Sequence, residues 1–518
     1  MARLATALLV ACLAGPVAAQ QASDPAPVPV PAPAPAAGGE GELYLEGGQY
    51  GQRTTRASVA QKRGGLSLDA ALEGERSSNY RDGSDFSQRN FTGGVEWKQR
   101  QGRIGMSADI AQQATSYPAP QGLFSAFMPL QQRPEDSFVY HARRVSAFAQ
   151  RYIGNLDLGL EVQQREKNAT ATYVGDSGNY ASSYRSAQTQ LAPRLRHYGK
   201  LGGASTDTEV GIDFTQWRRR TVSLAPGAFS HIARRQDATA LLLREELAFA
   251  GPHAPRLLFG LRHERVRLDP LDALAGGSWS RQNSWDMQAS YLLAPQLTIH
   301  AKAARSYRID DDGYTSAGYR PLAGQLKRER EVGLTWGNSA RSVSARLFGE
   351  RLSNQIVFDR NLSQQGYMGN LDPGRRTGLV LDASMNLGRD WRLSGQLQQV
   401  SAHFDDYPYD GPDIALVART LASTRLYWSP QGASSADLGV QWLRALRYGN
   451  DFDNSCLAQV PRFAMLDGRY GYKHGAWELV LTGSNLTNRR HYGDATACRS
   501  SIYQNDARQL RLSLRYRF

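Results

Sequence analysis

The chain ends on Ala507–Phe518, ARQLRLSLRYRF, and this stretch decides the fold. Leu510, Leu512, Leu514, Tyr516 and Phe518 occupy one parity; Arg511, Ser513, Arg515 and Arg517 occupy the other. Side chains along an extended strand alternate between its two faces, so this segment is a strand with one apolar and one cationic face. A soluble sheet can use such a strand. An arginine at every second or third position suits a polar lumen better than a solvated edge. An outer-membrane barrel has lipid outside its wall, water inside and aromatics at the interface. Phe518, with Tyr516 two residues before it, is read as the terminal signal recognised by the barrel-assembly machinery.

The same texture extends upstream. Leu66, Leu68 and Leu72 oppose Ser67, Asp69 and Glu73. Phe91, Val95 and Trp97 oppose Thr92, Glu96 and Lys98. Leu156, Leu158, Leu160 and Val162 oppose Asp157, Glu161 and Gln163, and Leu438, Val440 and Trp442 oppose Asp437 and Gln441. One such segment is a weak signal, but many in succession are the signature of a barrel. Short turns rich in Gly, Pro and Asn alternate with longer polar segments at 76–88, 116–137, 168–186, 221–236, 269–283, 308–324, 359–374, 404–413, 447–461 and 491–506. The expected fold is all-β: a transmembrane antiparallel β-barrel over 41–518, of about 22 strands, beginning with a tight hairpin at Gly48–Gln52.

No run of 18 apolar residues is present in the 518-residue chain, so no helix is expected to cross a bilayer. The formal charge is +13, with arginine supplying nearly all the cations. The arginines are spread along the chain without a basic arm or patch, so nucleic acid is not an expected partner. Lumen lining, ion pairs between loops, and contact with outer-membrane lipid and lipopolysaccharide are the simpler uses.

Residues 1–19 read as a secretory signal: Arg3, an apolar Leu4–Leu13, then Val17-Ala18-Ala19 before Gln20. Leu9–Cys12 also has the form of a lipobox, the alternative to a cysteine discarded with the signal. Residues 20–40, QQASDPAPVPVPAPAPAAGGE, form an extended Pro/Ala linker able to tether a periplasmic partner. Beyond the signal the chain holds two cysteines, Cys456 and Cys498, expected to form a disulfide between the tenth and eleventh external loops, with free thiols as the alternative.

Candidate ligand sites lie in the external loops. Asp310, Asp311 and Asp312 adjoin Tyr314, and Asp405, Asp406 and Asp410 adjoin Tyr407 and Tyr409. Carboxylate clusters can hold Ca²⁺, and neighbouring aromatics can grip sugars or cations. The alternative is a solvated loop pairing with nearby arginines. Arg218, Arg219 and Arg220, expected at the top of a strand, either attract anionic ligands or meet lipopolysaccharide phosphates and acidic loops. The nine histidines have no zinc-site spacing, and no nucleophile elbow or nucleotide-binding loop appears. No enzyme activity, metal site or cofactor is expected beyond the Ca²⁺ possibility in the loops.

Several segments resemble one family. Ser484–Tyr492 (SNLTNRRHY) is similar to the penultimate-strand motif of TonB-dependent outer-membrane receptors. Leu326–Leu334 (LKREREVGL) resembles their Leu-Lys-Pro-Glu segment, with Arg328 in place of Pro. Asn354–Phe358, Asn370–Leu381 and a degraded Thr298–Arg308 follow the family's order and spacing. The resemblance implies the receptor's barrel. It also implies an amino-terminal plug and a TonB box, and residues 20–40 are too short for such a domain. The expectation is therefore a plugless, passive or partner-gated channel for polar or anionic solutes. Its lumen would be constricted by external loops, by the linker or by a separate polypeptide. The alternatives are a non-transporting surface receptor, adhesin or scaffold, and an active receptor whose plug is another chain.

Overall fold

In the computed structural model, the described residues are 39–81, 83–116, 136–175, 178–271, 277–309, 322–359, 367–371, 373–405, 411–449, 451–490, 492–497 and 500–518. They form one 22-stranded sheet and two small two-stranded sheets. Every strand of the large sheet runs antiparallel to its neighbours in the chain. The cylinder closes where the first strand, Glu40–Gly48, pairs with the last, Gln509–Arg517. The smaller sheets, Gln355–Asp359 with Tyr367–Leu371 and Tyr492–Ala497 with Ser500–Gln504, are hairpins within two of the long connections.

The terminal strand obeys the alternation in full. Leu512 opposes Gly47 on one side and Leu481 on the other, while Arg515 opposes Tyr44 and Glu478. The leucine face is exposed, with Leu512 at 51% and its neighbours Leu45, Leu479 and Leu481 similarly open. On a closed sheet, an exposed apolar row is a lipid-facing row. Aromatic residues gather at the rim of short turns: Trp97, Trp336, Trp391, Trp428, Trp477 and Tyr516. Trp477 and Tyr516 approach with ring centroids 4.4 Å apart. Those short turns are often two residues long, as at 154–155, where Gly154 takes the left-handed φ of 59° that a tight hairpin demands.

Two of the expected external loops are strand instead. Leu156–Gly175 and Gly178–Leu201 are joined across 176–177, and Ala204–Ala225 and Ala228–Phe249 across 226–227. The segments 168–186 and 221–236 are thus the upper halves of long hairpins. A membrane crossing needs only about 9–11 residues per strand, so these hairpins rise well beyond the lipid. Above the bilayer lipid no longer imposes an apolar face, and the period that marks a strand in sequence weakens although the ladder continues. The remaining long connections stand close to where the sequence puts them, including 78–85, 117–136 and 309–324.

Candidate functional site

The inner wall is a lattice of opposite charges. Asp213, with 8% of its side chain exposed, accepts from Arg194 at 2.5 Å and from Arg262 at 2.5 Å. Arg262 also pairs with Glu264 at 3.1 Å, and the Tyr307 hydroxyl donates to Glu264. Lys302 meets Glu329 at 2.9 Å, Lys327 meets Glu350 at 2.7 Å, and Arg346 lies 3.5 Å from Glu331. At the closing seam Glu478 accepts from Arg515 at 3.1 Å, and Glu42 lies 3.3 Å from Arg517. The expectation that lumen arginines favour anions is weakened by this pairing. A wall in which cations and carboxylates offset each other is polar and hydrated, with little free positive charge.

The external mouth is where described loops meet the inner wall. Val400, Ala402 and Phe404 lie on the face opposite the lipid-facing row of Trp391–Phe404, and they are buried against Ile414 and Phe452 from two adjacent external connections. Phe404 and Phe452 meet edge to face at 6.3 Å. Gly374 lies close beneath this cluster: a side chain there would meet the Ile414 Cδ1 at 2.7 Å, and the end of the Ile414 side chain would have to shift. A second cluster of Leu446, Tyr448, Cys456 and Val460 packs the tenth connection on itself. Burial pushes the Tyr448 phenol above its ordinary range, and hydrogen bonds from Ser455 hold the Asp453 carboxyl below its own.

Two asparagines clasp neighbouring loops. Asn454 donates to the Asp413 carbonyl at 2.9 Å and accepts from the Asp413 N–H at 2.9 Å. Asn370 accepts from the Ala323 N–H at 2.9 Å and donates to the Ala323 and Asn354 carbonyls at 3.0 and 2.9 Å. Asn485, in the SNLTN segment, is 2% exposed and donates to the Arg489 and Asp506 carbonyls at 2.9 and 3.1 Å. The sequence reading passed over these side chains as individuals. The one available signal was asparagine's tolerance of left-handed backbone, seen here at φ 56° for Asn454 and 45° for Asn485. Replacing Asn454 by alanine is expected to release the mouth while leaving the wall intact. Trypsin should cleave at Arg419 and Arg447 roughly ten times faster, the scale of one or two lost hydrogen bonds, with no change in heat-dependent gel mobility. Unchanged cleavage would show that the clasp does not hold the loops.

The sequence candidates separate in the structure. Arg218, Arg219 and Arg220 lie inside Ala204–Ala225, short of its end, and therefore alternate. Arg218 and Arg220 share the outward parity of Val210 and Phe214, whereas Arg219 lies on the inner face with its guanidinium 3.9 Å from the Tyr184 ring centroid. They are not one three-cation patch. Asp405 is 10% exposed and held by Arg375 at 3.0 Å and Arg351 at 3.7 Å, an ion-paired loop base. Asp310, Asp311, Asp312, Tyr314, Asp406, Tyr407, Tyr409 and Asp410 lie outside the described residues. Among the described residues no group of three or more His, Cys, Asp or Glu could hold a metal ion. Cys456 is disulfide-bonded and 6% exposed, and its N–H donates to Asp451 at 3.0 Å; Cys498 lies outside the described residues. Phe518 is 63% exposed, its carbonyl accepts from the Gly41 N–H at 2.7 Å, and its ring covers Gly41.

A closed 22-strand wall with a charged lumen, short turns at one rim and folded loops at the other defines a class of outer-membrane barrel. The family described as TonB dependent receptor-like, beta-barrel matches residues 37–486, and the chain belongs to it. Solved structures agree in fold. The ferric yersiniabactin uptake receptor FyuA from Yersinia pestis is 14% identical with a TM-score of 0.78, over 94% of this chain and 81% of that one. The ferric citrate transporter FecA, in its unliganded form, is 13% identical with a TM-score of 0.79, over 93% and 79%. The ferripyoverdine receptor of the outer membrane of Pseudomonas aeruginosa is 13% identical with a TM-score of 0.76, over 94% and 72%. No curated protein sequence matches the chain. Those neighbours are receptors and transporters rather than enzymes.

Proposed function

We propose that the chain is a transport barrel of the outer membrane that passes polar solutes, opened passively or by a partner. The observation that carries this reading is the wall itself: a closed cylinder whose inner face is lined by ion pairs such as Arg194–Asp213–Arg262 and Lys302–Glu329. Ion-paired groups in a water-filled lumen suit hydrophilic cargo. A preference for anions is not favoured, because the lumen cations sit beside carboxylates. The loops packed at Phe404 and Phe452 supply part of the constriction that a wide barrel needs.

In this reading the amino-terminal 1–19 segment directs export, 20–40 reaches a periplasmic partner, and Phe518 addresses the assembly machinery. The test is conductance of the full mature chain in planar bilayers. Discrete steps are expected, growing larger when residues 405–413 are deleted. Silence from both proteins would overturn the proposal.

A second reading is favoured by the family match and by neighbours that are ferric-siderophore receptors: an active receptor whose gate is a separate chain. Deleting 26–36 separates it and the scaffold alternative from free diffusion. Changed permeability assigns the linker to gating, whereas unchanged permeability with loss of a periplasmic partner assigns it to scaffolding.

A further inference from the structure

In Trp391–Phe404 the side chains of Val400, Ala402 and Phe404 turn inward, so Ser401 and His403 share the outer face with the exposed Leu393. Ser401 is ten residues beyond Trp391, which at about 3.3 Å per residue and a tilt of about 40° is a climb of about 25 Å, the height of the apolar band. Ser401 therefore stands at the upper boundary between acyl chains and headgroups. The ladder to the following strand stops at Gln399 and Thr420, and the connecting loop takes its place, with His403 in an isolated antiparallel bridge to Asp413. Residues directly opposite in such a pair project to the same face, so Ser401, His403 and Asp413 come together there.

The Ser401 Oγ and the His403 Nε2 lie 2.8 Å apart. The buried Nδ1 of the same ring faces Asp413 Oδ1 at 3.3 Å, without an aligned hydrogen bond. In free enzymes such bonds are commonly long, and they tighten when substrate binds. Asp413 is held by two bonds from Arg419, at 2.8 and 2.7 Å, and by the Asn454 clasp on its backbone. Arg375, directly opposite His403, is engaged by Asp405 at 3.0 Å. Ser401 is exposed, and 42% of the His403 side chain is open. Hydroxyl, imidazole and carboxylate in this order are the constellation that activates a serine. With Nδ1–H toward the carboxylate, Nε2 accepts from the hydroxyl.

A groove of about 870 Å³, in the size range of small-molecule sites, is lined by Ser401 and His403. Ser401, Thr377, Gly349 and Arg330 follow one another across four strands as one row. The next row on the same face, toward the periplasm, is Gln399, Leu379, Leu347 and Val332. Gly349 puts no side chain into the upper row, and Leu347 and Val332 are 57% and 45% exposed beneath it. Glu331 also lines the groove, with its carboxylate 3.5 Å from Arg346 and 3.3 Å from His300. The apolar row suits an acyl chain. The Thr377 hydroxyl, directly opposite Ser401, and the Gln399 amide, next along the same face, are donors for the oxyanion that forms when a carbonyl is attacked.

We propose that Ser401, His403 and Asp413 form an esterase site on the outer wall, taking long-chain carboxylic esters whose acyl group lies in the outer leaflet. The Ser401 Oγ adds to the ester carbonyl carbon as its proton passes to His403 Nε2. Collapse breaks the ester carbon–oxygen bond, and the His403 proton leaves with the alcohol. A water then adds to the acyl-serine and gives a proton to Nε2; the acid departs and Ser401 recovers that proton. The sum is one ester and one water converted to one acid and one alcohol. Ser401 and His403 are the catalytic residues, and Asp413 is a positioning residue. No nucleophile elbow marks the site in sequence, because the serine and histidine lie in a strand and the carboxylate arrives on a loop. The inference goes beyond the transport reading and does not rest on it.

The test uses the full mature chain in detergent. A fluorophosphonate probe should form an adduct on Ser401, located by peptide mass spectrometry. The ester p-nitrophenyl dodecanoate should be hydrolysed, roughly a thousandfold more slowly by Ser401→Ala and roughly a hundredfold more slowly by His403→Ala. Asp413→Asn should lower kcat by roughly a hundredfold and leave KM in place. The dodecanoate ester should be preferred to the acetate ester by about tenfold. Gly349→Leu, whose Cβ meets only Thr377 Cγ2 at 3.9 Å, should remove that preference by filling the groove. Wild type that neither labels at Ser401 nor hydrolyses overturns the site, as does hydrolysis undiminished in Ser401→Ala. A preference that survives Gly349→Leu overturns the acyl groove, and an unchanged kcat for Asp413→Asn overturns the positioning role. Heat-dependent gel mobility reports whether each variant folds, and where one does not, the adduct on wild type decides. Hydrolysis is read without a bilayer, so a silent lumen and an inactive wall are separate outcomes.

Discussion

Asp213→Ala is expected to be the most destabilising single change in the lumen. Its two oxygens each accept from a different guanidinium, Arg194 and Arg262, both at 2.5 Å. Removing the carboxylate leaves two cations facing one gap in the wall. Taking one partner out of a buried pair costs roughly 3–5 kcal/mol. The arginines are about a third exposed and keep Glu209 at 3.6 Å and Glu264 at 3.1 Å as second partners, so the lower end applies. The temperature at which the folded gel band converts to the unfolded one should fall clearly for Asp213→Ala. It should fall less for Asp213→Asn, which keeps one acceptor oxygen for one of the two guanidiniums. Adding Arg194→Met to Asp213→Ala should recover some of the loss by removing one stranded charge. Identical conversion temperatures for wild type and Asp213→Ala would mean that the cluster contributes nothing to the wall.

Deleting Phe518 should have the largest effect on assembly. Its backbone exchanges two hydrogen bonds with Gly41, at 2.7 and 3.0 Å, and these extend the pairing that closes the barrel. Its ring lies over Gly41 and stacks with Tyr516 at 5.7 Å. Phe518→Ala keeps the backbone bonds and loses the ring; deletion loses both. If the terminal aromatic addresses the assembly machinery, both variants should reach the outer membrane at a tenth of the wild-type amount or less. Only the deletion should also lower the conversion temperature after refolding in detergent. Wild-type amounts of Phe518→Ala in the outer membrane would refute the signal role and leave the residue as a seam closure.

The strands that cross the lipid were legible because lipid forces period two onto them. Leu66–Ser77 and Trp477–Ser484 can be read by eye for that reason. The upper hairpins around Gly175 and Ala225 were misread as loops because water wets both their faces, so a paired strand there has no composition of its own. The three consecutive arginines illustrate the same limit. Arg218–Arg220 looks like a patch in one dimension, but an extended backbone sends its members to opposite sides of the wall. The clasping roles of Asn454 and Asn370 were hidden too. Each joins residues 41 or 47 positions apart in the chain, a separation over which sequence pattern carries no distance information.

The sequence by itself determined the cylinder: period-two alternation repeated over so many segments fits a wall between lipid and water. Only the tertiary structure decided where the charge goes. Parity assigns each arginine to a face, but register across strands decides whether it meets a carboxylate, as Arg262 meets Asp213, or another arginine, as Arg328 meets Arg351. Coulomb interactions depend on distances of a few ångströms between strands, and those distances exist only once the sheet has closed.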